Sequence, residues 1–152
     1  MDYVSYIRGM VGHEPVFMPA ACMVIHNEKG EILLQQRTDC GKWGLSGGIC
    51  ELGESVSETA HRELMEETGL TAEIEYLIGI YSKPMIELKN GDKLQPVTVA
   101  FAAHVTGGEM KESCDETLAL AWIPKDSIPE IYSAKHKEII SDYFMGKSGV
   151  YK

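Results

Sequence analysis

The sequence predicts a single domain of the α/β (α+β) class that spans residues 1–152. Several stretches carry apolar residues at every second position, which is typical of β-strands, and two others have the composition and capping residues of α-helices. A chain of 152 residues that is 44% hydrophobic can also bury one sizeable core. Residues 1–15 are expected to form a short helix or an N-terminal arm. This segment would cover a sheet edge or, alternatively, its aromatic residues would cover a base or help a dimer form.

The first two strands are predicted in the N-terminal quarter of the chain. Residues 17–26 are apolar on both alternating faces, as expected of a central strand that is covered on each side. Residues 27–30 form a turn, and residues 31–37 return as a second strand, so the pair is predicted to be a hairpin. Arg37 ends that strand with a planar fork of donors, which suits a substrate phosphate or carboxylate or, alternatively, a surface ion pair.

A helix is predicted over residues 56–68. Ser55 stands three residues before Glu58, which is the spacing of a capping box, and the stretch that follows contains no Gly or Pro. Gly69 then supplies a residue that tolerates the left-handed conformation of a helix end. The helix should therefore begin near Val56 and end at Gly69.

The second half of the chain reads as strands followed by one more helix. The predicted elements are a strand over residues 72–81, a tight turn at Asn90-Gly91, a strand over 93–105, a short strand over 118–122 and a helix over 133–145. The two longer strands should pair as a hairpin. The helix has one apolar face, with His136 at the edge of the core, and should pack against the sheet.

Charge and cysteine content narrow the function classes. The chain has 23 acidic and 14 basic residues, a net charge of −9, which opposes nucleic acid or an anionic membrane as the main partner. There is no long apolar run and the N-terminus lacks the apolar core of a signal peptide, so a cytoplasmic location is expected. The 4 cysteines are scattered without a C-x-x-C pair, which indicates reduced thiols rather than a zinc site.

Three glutamates crowd one side of the predicted helix. Glu63, Glu66 and Glu67 stand at i, i+3 and i+4, where like charges repel by about 0.2–0.5 kcal/mol per exposed pair. They could form a solvated acidic face. Ala60 and Leu64 fall in the same sector, however, so the carboxylates flank the side that packs on the core. Hard oxygen ligands this close together suit Mg²⁺ or Mn²⁺, which take their remaining ligands from a substrate phosphate.

The stretch around these glutamates resembles the Nudix box, GX5EX7REUXEEXGU, from Gly48 to Leu70. Every fixed position of that motif is matched, including Glu54 and the run RELMEETGL that begins at Arg62. The resemblance implies the Nudix fold, in which a mixed β-sheet is sandwiched between helices. It also implies metal-dependent hydrolysis of a diphosphate linkage. The chain departs from the usual family pattern just before the box, where Ser46 stands in place of proline.

The resemblance assigns the expected metal ligands. Glu63, Glu66 and Glu67 would bind one or more Mg²⁺ or Mn²⁺ ions. Gly47 would offer its backbone carbonyl to the metal, because a residue without Cβ permits close approach.

The resemblance also indicates which residues act on the attacking water. A carboxylate among Glu63, Glu66 and Glu116 would orient or deprotonate the water, and the choice among them stays open. Glu116 could instead be an ordinary acidic loop residue, and Asp115 is the second candidate for its role. Arg62 would pair with one of the acids and fix its rotamer.

The expected enzyme is a Nudix-type pyrophosphohydrolase acting on acid anhydrides in phosphorus-containing compounds. Its substrate would be a small nucleoside diphosphate linked to a group X, as in a nucleotide sugar, an ADP-ribose-like compound or a dinucleotide. One alternative is a nucleoside triphosphate pyrophosphohydrolase for oxidised nucleotides. Another is a non-catalytic Nudix domain that senses nucleotides, which the complete set of hydrolytic acids disfavours. The resemblance also allows a homodimer, because many members of the family pair.

Overall fold

The computed structural model describes residues 2–152 and has three α-helices and nine β-strands within them. The elements in chain order are α1 (Tyr3–Val11), β1 (Val16–His26), β2 (Ile32–Arg37), β3 (Trp43–Gly44), β4 (Ser46–Ile49), α2 (Val56–Thr68), β5 (Leu70–Tyr81), β6 (Ile86–Glu87), β7 (Lys93–Gly108), β8 (Thr117–Ile123), α3 (Ala134–Phe144) and β9 (Val150–Tyr151). All the strands belong to one mixed sheet, so the predicted α+β class is confirmed.

Strand β1 organises the sheet. It pairs in parallel with β7 on one side, and over residues 20–23 it pairs antiparallel with β4 on the other. The predicted hairpin between residues 17–26 and 31–37 is present only next to the turn, where His26 pairs with Ile32. The rest of the predicted pairing is wrong. Over residues 20–23, β1 pairs with β4 rather than with β2. Strand β2 pairs with β8. The glycine-rich β4 therefore lies against the centre of the sheet.

Helices cover both faces of the sheet, as the resemblance implied. The core cluster under α3 comprises Cys22, Val24, Ile32, Leu34, Leu45, Ile78, Tyr81, Ala100, Ala102, Ile139 and Ile140. The core cluster under α2 comprises Ala21, Met23, Ile25, Leu33, Ala60, Leu64, Leu70, Ala72 and Ala103. Alternate residues of β1 enter the two clusters, which is the pattern predicted for a central strand.

Helix α2 begins and ends where the sequence predicts. The Ser55 hydroxyl accepts the N–H of Glu58 at 3.2 Å, and the Glu58 carboxylate accepts the N–H of Ser55 at 2.7 Å. Gly69 follows the helix with a φ of 79°, and its N–H donates to the Met65 carbonyl. Local interactions thus fix both ends of the helix, and with them the direction in which its glutamates point.

The other predicted elements are present with small changes. β5 and β7 pair antiparallel as the predicted long hairpin, but the Asn90-Gly91 turn joins β7 to the short strand β6. Helix α3 follows a Ser133 cap, whose hydroxyl accepts the N–H of His136. Within residues 2–152, no helix is both long enough and apolar enough to cross a membrane.

The N-terminal helix α1 is held at the start of β7. The Arg8 guanidinium donates to the Lys93 carbonyl at 2.7 Å, and the N–H of Tyr3 donates to the Glu51 carboxylate at 2.8 Å. Residues 3–11 thus form the short helix that was one of the two forms expected, and its role stays a prediction.

Removing the N-cap of α2 should weaken the fold. Ser55→Ala leaves the N–H of Glu58 without its acceptor, and we expect the free energy of unfolding to fall by about 1 kcal/mol. Urea denaturation followed by circular dichroism measures the change. Ser55→Asp keeps a capping oxygen and should stay within about 0.5 kcal/mol of the parent. Equal losses in the two variants would contradict the capping role.

Candidate active site

The candidate active site lies where β4 meets helix α2. The Glu63 carboxylate packs against Gly48, at the place where a Cβ atom on residue 48 would collide with it. A Cβ atom on Gly47 would lie 2.5 Å from the Ala21 carbonyl oxygen. These two positions therefore require glycine, and the absence of side chains there lets a helix carboxylate approach the strand backbone.

Arg62 forms hydrogen bonds with three acidic residues of the motif. Its guanidinium donates to both carboxylate oxygens of Glu54, at 2.6 and 3.1 Å. It also donates to Glu63 at 3.0 Å and to Glu66 at 3.3 Å. Glu54 accepts a further bond from the Thr59 hydroxyl at 2.7 Å, so it ties the loop to the helix. The hydrogen bonds from Arg62 lower the pKa of Glu54 to about 2.

Glu67 is buried against β4 and β2, and its side chain is held by three donors. Gln35 Nε2 donates to one carboxylate oxygen at 2.5 Å, and the Ser46 hydroxyl and Gly47 N–H donate to the other at 3.1 and 2.9 Å. Burial nevertheless raises the pKa of Glu67 to about 7, and the charge of Glu63 adds to the rise. The site therefore holds a carboxylate whose charge is disfavoured despite good hydrogen bonding.

Glu116 lies close enough to the helix acids for its charge to act on them. Burial raises the pKa of Glu63, the Arg62 guanidinium opposes the rise, and the charges of Glu66 and Glu116 add to it. The segment before β8 is held by the Glu116 carbonyl, which accepts the N–H of Thr38 at 3.2 Å. The effect of its charge on Glu63 is what connects Glu116 with the helix acids, and its role in catalysis stays a prediction.

The predicted metal ligands form an all-oxygen donor set that fits a hard divalent cation. Among residues 2–152, no three His, Cys, Asp or Glu side chains meet in an arrangement that could hold a metal ion. Glu63 and Glu66 turn to Arg62, and Glu67 turns to Gly47. The raised pKa values of Glu63 and Glu67 reflect burial and crowding of negative charge, which a cation would relieve. Their roles as ligands stay predictions.

Arg37 pairs with Asp39 and not with the glutamates of the candidate active site. Its guanidinium donates to both carboxylate oxygens of Asp39, at 3.0 and 2.8 Å, and lies 4.3 Å from the centroid of the Tyr132 ring. Hydrogen bonds from Arg37 lower the pKa of Asp39 to about 2. This is the ion-pair alternative that the sequence left open, and a role in binding substrate stays a prediction.

Two polar residues behind the site received no functional role from the sequence. Gln35 is only 4% exposed, accepts the Thr117 hydroxyl at 2.9 Å and donates to the Leu45 carbonyl at 3.2 Å. His136 Nδ1 accepts the N–H of Leu45 at 3.1 Å, and burial lowers its pKa to about 3, so the ring is neutral. The position of Gln35 directly after the apolar residues Ile32-Leu33-Leu34 of β2 was the signal that could have identified it.

Several known proteins are similar to this chain in sequence and in fold. A family model described as NUDIX domain matches residues 16–143. A Bacillus subtilis (strain 168) protein named "Putative 8-oxo-dGTP diphosphatase" is 33% identical over 135 residues, 89% of this chain and 85% of that protein. An "ADP-ribose pyrophosphatase" from Methanocaldococcus jannaschii is 30% identical over 128 residues, 83% of this chain and 72% of that protein. The crystal structure of a MutT NUDIX hydrolase from Burkholderia pseudomallei superposes with a TM-score of 0.71 at 27% identity, covering 84% of this chain and 98% of that one.

Replacing Glu67 with glutamine should make the stability of the metal-free protein less dependent on pH. The pKa of Glu67 is about 7 in the folded state against an ordinary 4.5, so the folded state loses stability as the pH rises between these values. Glutamine also places an amide donor against one of the three donors that bond Glu67, a cost that does not depend on pH. At 1.36 kcal/mol per pKa unit, the effect of Glu67→Gln on the free energy of unfolding should therefore be more favourable by about 3 kcal/mol at pH 8 than near pH 4. Urea denaturation in the presence of EDTA measures both values.

Glu73→Gln is the matched control for this experiment. It alters an exposed carboxylate on β5 and should change the free energy of unfolding by less than about 0.5 kcal/mol at either pH. An effect of Glu67→Gln that is the same at pH 8 and at pH 4 would show that the buried charge is not unfavourable.

Proposed function

The chain belongs to the Nudix family, and on that premise we propose that it hydrolyses the diphosphate linkage of a nucleoside diphosphate joined to a group X. It is a Nudix-type pyrophosphohydrolase, the enzyme class of its named relatives, acting on acid anhydrides in phosphorus-containing compounds. The observation that carries the proposal is the approach of the motif's acids to β4, in which Glu63 packs against Gly48 and Glu67 accepts the Gly47 N–H. Arg62 links Glu63 to Glu66, the third acid of the set. X would be a sugar, an ADP-ribose-like group or a second nucleotide.

The proposed cofactor is Mg²⁺ or Mn²⁺. The carboxylates of Glu63, Glu66 and Glu67 and the carbonyl of Gly47 would hold it, because hard cations prefer oxygen ligands. When bound, such an ion neutralises charge on the phosphate oxygens and lowers the pKa of a bound water. A chain with a net charge of −9 would otherwise repel an anionic substrate.

Three further roles in the proposed reaction fall to side chains of the protein. Arg62 fixes the side chains of Glu54, Glu63 and Glu66 through its hydrogen bonds, which makes it a positioning residue. Burial and neighbouring carboxylates raise the pKa of Glu63, so that it is a better proton acceptor than an ordinary carboxylate. Glu116 approaches the same site from the segment before β8. Either carboxylate, or Glu66, would orient or deprotonate the attacking water.

A nucleoside triphosphate pyrophosphohydrolase acting on oxidised nucleotides is the second candidate. It is supported by the name of the Bacillus subtilis relative, which matches most of this chain. A nucleotide-sensing domain has less support, because the chain keeps every hydrolytic acid of the motif. A cytoplasmic location, a single domain over residues 1–152 and a homodimer also stay predictions from the sequence.

The proposal predicts metal-dependent turnover of a small nucleotide. Nucleotide sugars, ADP-ribose, dinucleotides and 8-oxo-dGTP are incubated with the protein and Mg²⁺, and product masses identify the bond that is cleaved. EDTA should abolish the reaction. Glu66→Gln removes one proposed ligand charge and should lower kcat by at least about a hundredfold, whereas Glu73→Gln on the exposed face of β5 should not.

A sensing domain would give a different pattern in the same assay. It would bind a nucleotide without releasing products, and Glu66→Gln would leave that binding largely unchanged. Such a result would falsify the catalytic proposal.

The candidate for the water-directing carboxylate can be tested separately. Glu116→Gln should lower kcat by about a hundredfold, because general acid–base groups contribute effects of this order. It should also move the acidic limb of the pH profile of kcat/KM to lower pH, since the charge of Glu116 raises the pKa of Glu63. Asp115→Asn should leave both properties nearly unchanged. Equal effects of the two variants would contradict a specific role for Glu116.

A further inference from the structure

The segment between β7 and β8, residues 109–116, carries Glu116 and is held on helix α2 at its start. The N–H of Lys111 donates to the Thr68 carbonyl at 2.8 Å, and the Lys111 ammonium group donates to the Glu66 carbonyl at 2.8 Å. Both acceptors lie in the last turn of α2, where the helix dipole favours a cation. The segment therefore starts on the helix that carries the acids of the candidate active site.

The other end of the segment is held by Thr117, the first residue of β8, which is only 1% exposed. Its backbone exchanges two hydrogen bonds with Cys114, at 3.0 and 3.1 Å, so residues 114–117 form a tight turn that contains Glu116. The Thr117 hydroxyl donates to Gln35 Oε1 at 2.9 Å. The last residue of this turn is thus tied to the buried amide of β2.

A buried chain of hydrogen bonds continues from Gln35 to helix α2. Gln35 Nε2 donates to the Glu67 carboxylate at 2.5 Å. An ionised carboxylate only accepts hydrogen bonds, so the amide nitrogen of Gln35 must face Glu67 and its oxygen must face away. A buried amide oxygen needs a donor, which the Thr117 hydroxyl supplies. Thr117 is therefore connected to an acid of α2 through one side chain.

A β-bulge gives Thr117 the position for this bond. Where β8 pairs with β2, the register shifts by one residue after Gln36 and skips Leu118. In a regular strand Leu118 would share a face with Leu120, which lies opposite Gln35, and Thr117 would face the other way. The bulge instead leaves Leu118 52% exposed and buries Thr117 beside Gln35. Bulges redirect side chains in this manner and are frequent beside active sites.

Of the contacts that hold the segment, the one from Thr117 controls the position of Glu116 most directly. Lys111 lies five residues before Glu116, a length of chain that spans up to about 17 Å when extended. Thr38 donates to the Asp115 and Glu116 carbonyls at 3.2 Å, but it is an exposed residue, where water competes for these bonds. Thr117 is the direct neighbour of Glu116, and its bond to Gln35 is buried.

We propose that Thr117 is a positioning residue, which acts through Gln35 to fix Glu116 relative to the acids of α2. The inference rests on the proposed function, in which Glu116 is the candidate that orients or deprotonates the attacking water. A displacement of about 1 Å in a catalytic group can cost about a hundredfold in rate. The buried connection would keep Glu116, which is exposed, from such displacements.

Steady-state kinetics with Mg²⁺ and a nucleotide that the parent hydrolyses test this proposal. Thr117→Val removes the hydroxyl and keeps a β-branched side chain, and it should lower kcat by at least about tenfold with KM within about twofold. Thr117→Ser keeps the hydroxyl and should retain at least about a third of the parental kcat. Thr98→Val makes the same change at a buried threonine of β7 and should leave kcat within about twofold. Thr117→Ala replaces the valine variant if that variant does not fold.

A double variant separates positioning from a general weakening of the fold. In the Glu116→Gln background, Thr117→Val should change kcat by less than about twofold, because the carboxylate that Thr117 positions is already absent. Three results overturn the proposal: an unchanged kcat in Thr117→Val, an equal loss in Thr117→Ser, and effects of Thr117→Val and Glu116→Gln that multiply.

If the parent hydrolyses none of the nucleotides, the proposed function fails, and amide hydrogen exchange measured by NMR decides whether Thr117 fixes the turn around Glu116. The N–H groups of Cys114 and Thr117 are bonded within that turn. Exchange at both that is at least about tenfold faster in Thr117→Val than in Thr117→Ser supports the positioning role. Equal exchange in the two variants overturns it.

Discussion

The close approach of helix α2 to the glycines of β4 is the constraint on which the rest of the site depends. Glu63 occupies the volume that a side chain at Gly48 would need, and Glu67 takes hydrogen bonds from the strand itself. The strand stays in place because β1 pairs with it at the centre of the sheet. Backbone and side-chain donors thus replace part of the water that the buried carboxylates lose.

The approach of α2 to β4 brings several carboxylates together in a partly desolvated site. This arrangement destabilises the fold and favours the binding of a cation. Arg62 offsets part of the repulsion by holding Glu63 and Glu66, and the cluster is not neutralised by it. Ser46 adds a feature of this chain's own. A proline at that position has no hydroxyl, whereas the Ser46 hydroxyl donates to Glu67 and favours its charged form. The departure from the usual family pattern therefore strengthens the support of one acid.

Helix α2 could be predicted from the sequence because local interactions determine its ends. Ser55 and Glu58 form the cap at its start, and Gly69 ends it. Strand β4 and its pairing with β1 could not be predicted, since Ser46-Gly47-Gly48-Ile49 has no alternating apolar residues. Where such alternation is present, it indicates a strand and does not show which strand lies beside it. Arg37 illustrates a second limit: a fork of donors suits a ligand and also suits Asp39, two residues further on. Gln35 was identifiable as a polar residue in a buried strand, but its three partners come from distant parts of the chain.

Alternation along β4 also explains how the two faces of the sheet can serve different purposes. Ser46 and Gly48 face α2 and contact its glutamates, whereas Ile49 shares the opposite face with Thr98 and the ammonium group of Lys135. Residues under α3 can therefore change without moving the acids on α2, because successive side chains of a strand point to opposite sides. Relatives of this chain carry names for different nucleotides while sharing the domain. An exchange of residues on the α3 face would leave the acids on α2 in place, which is a structural basis for that diversity.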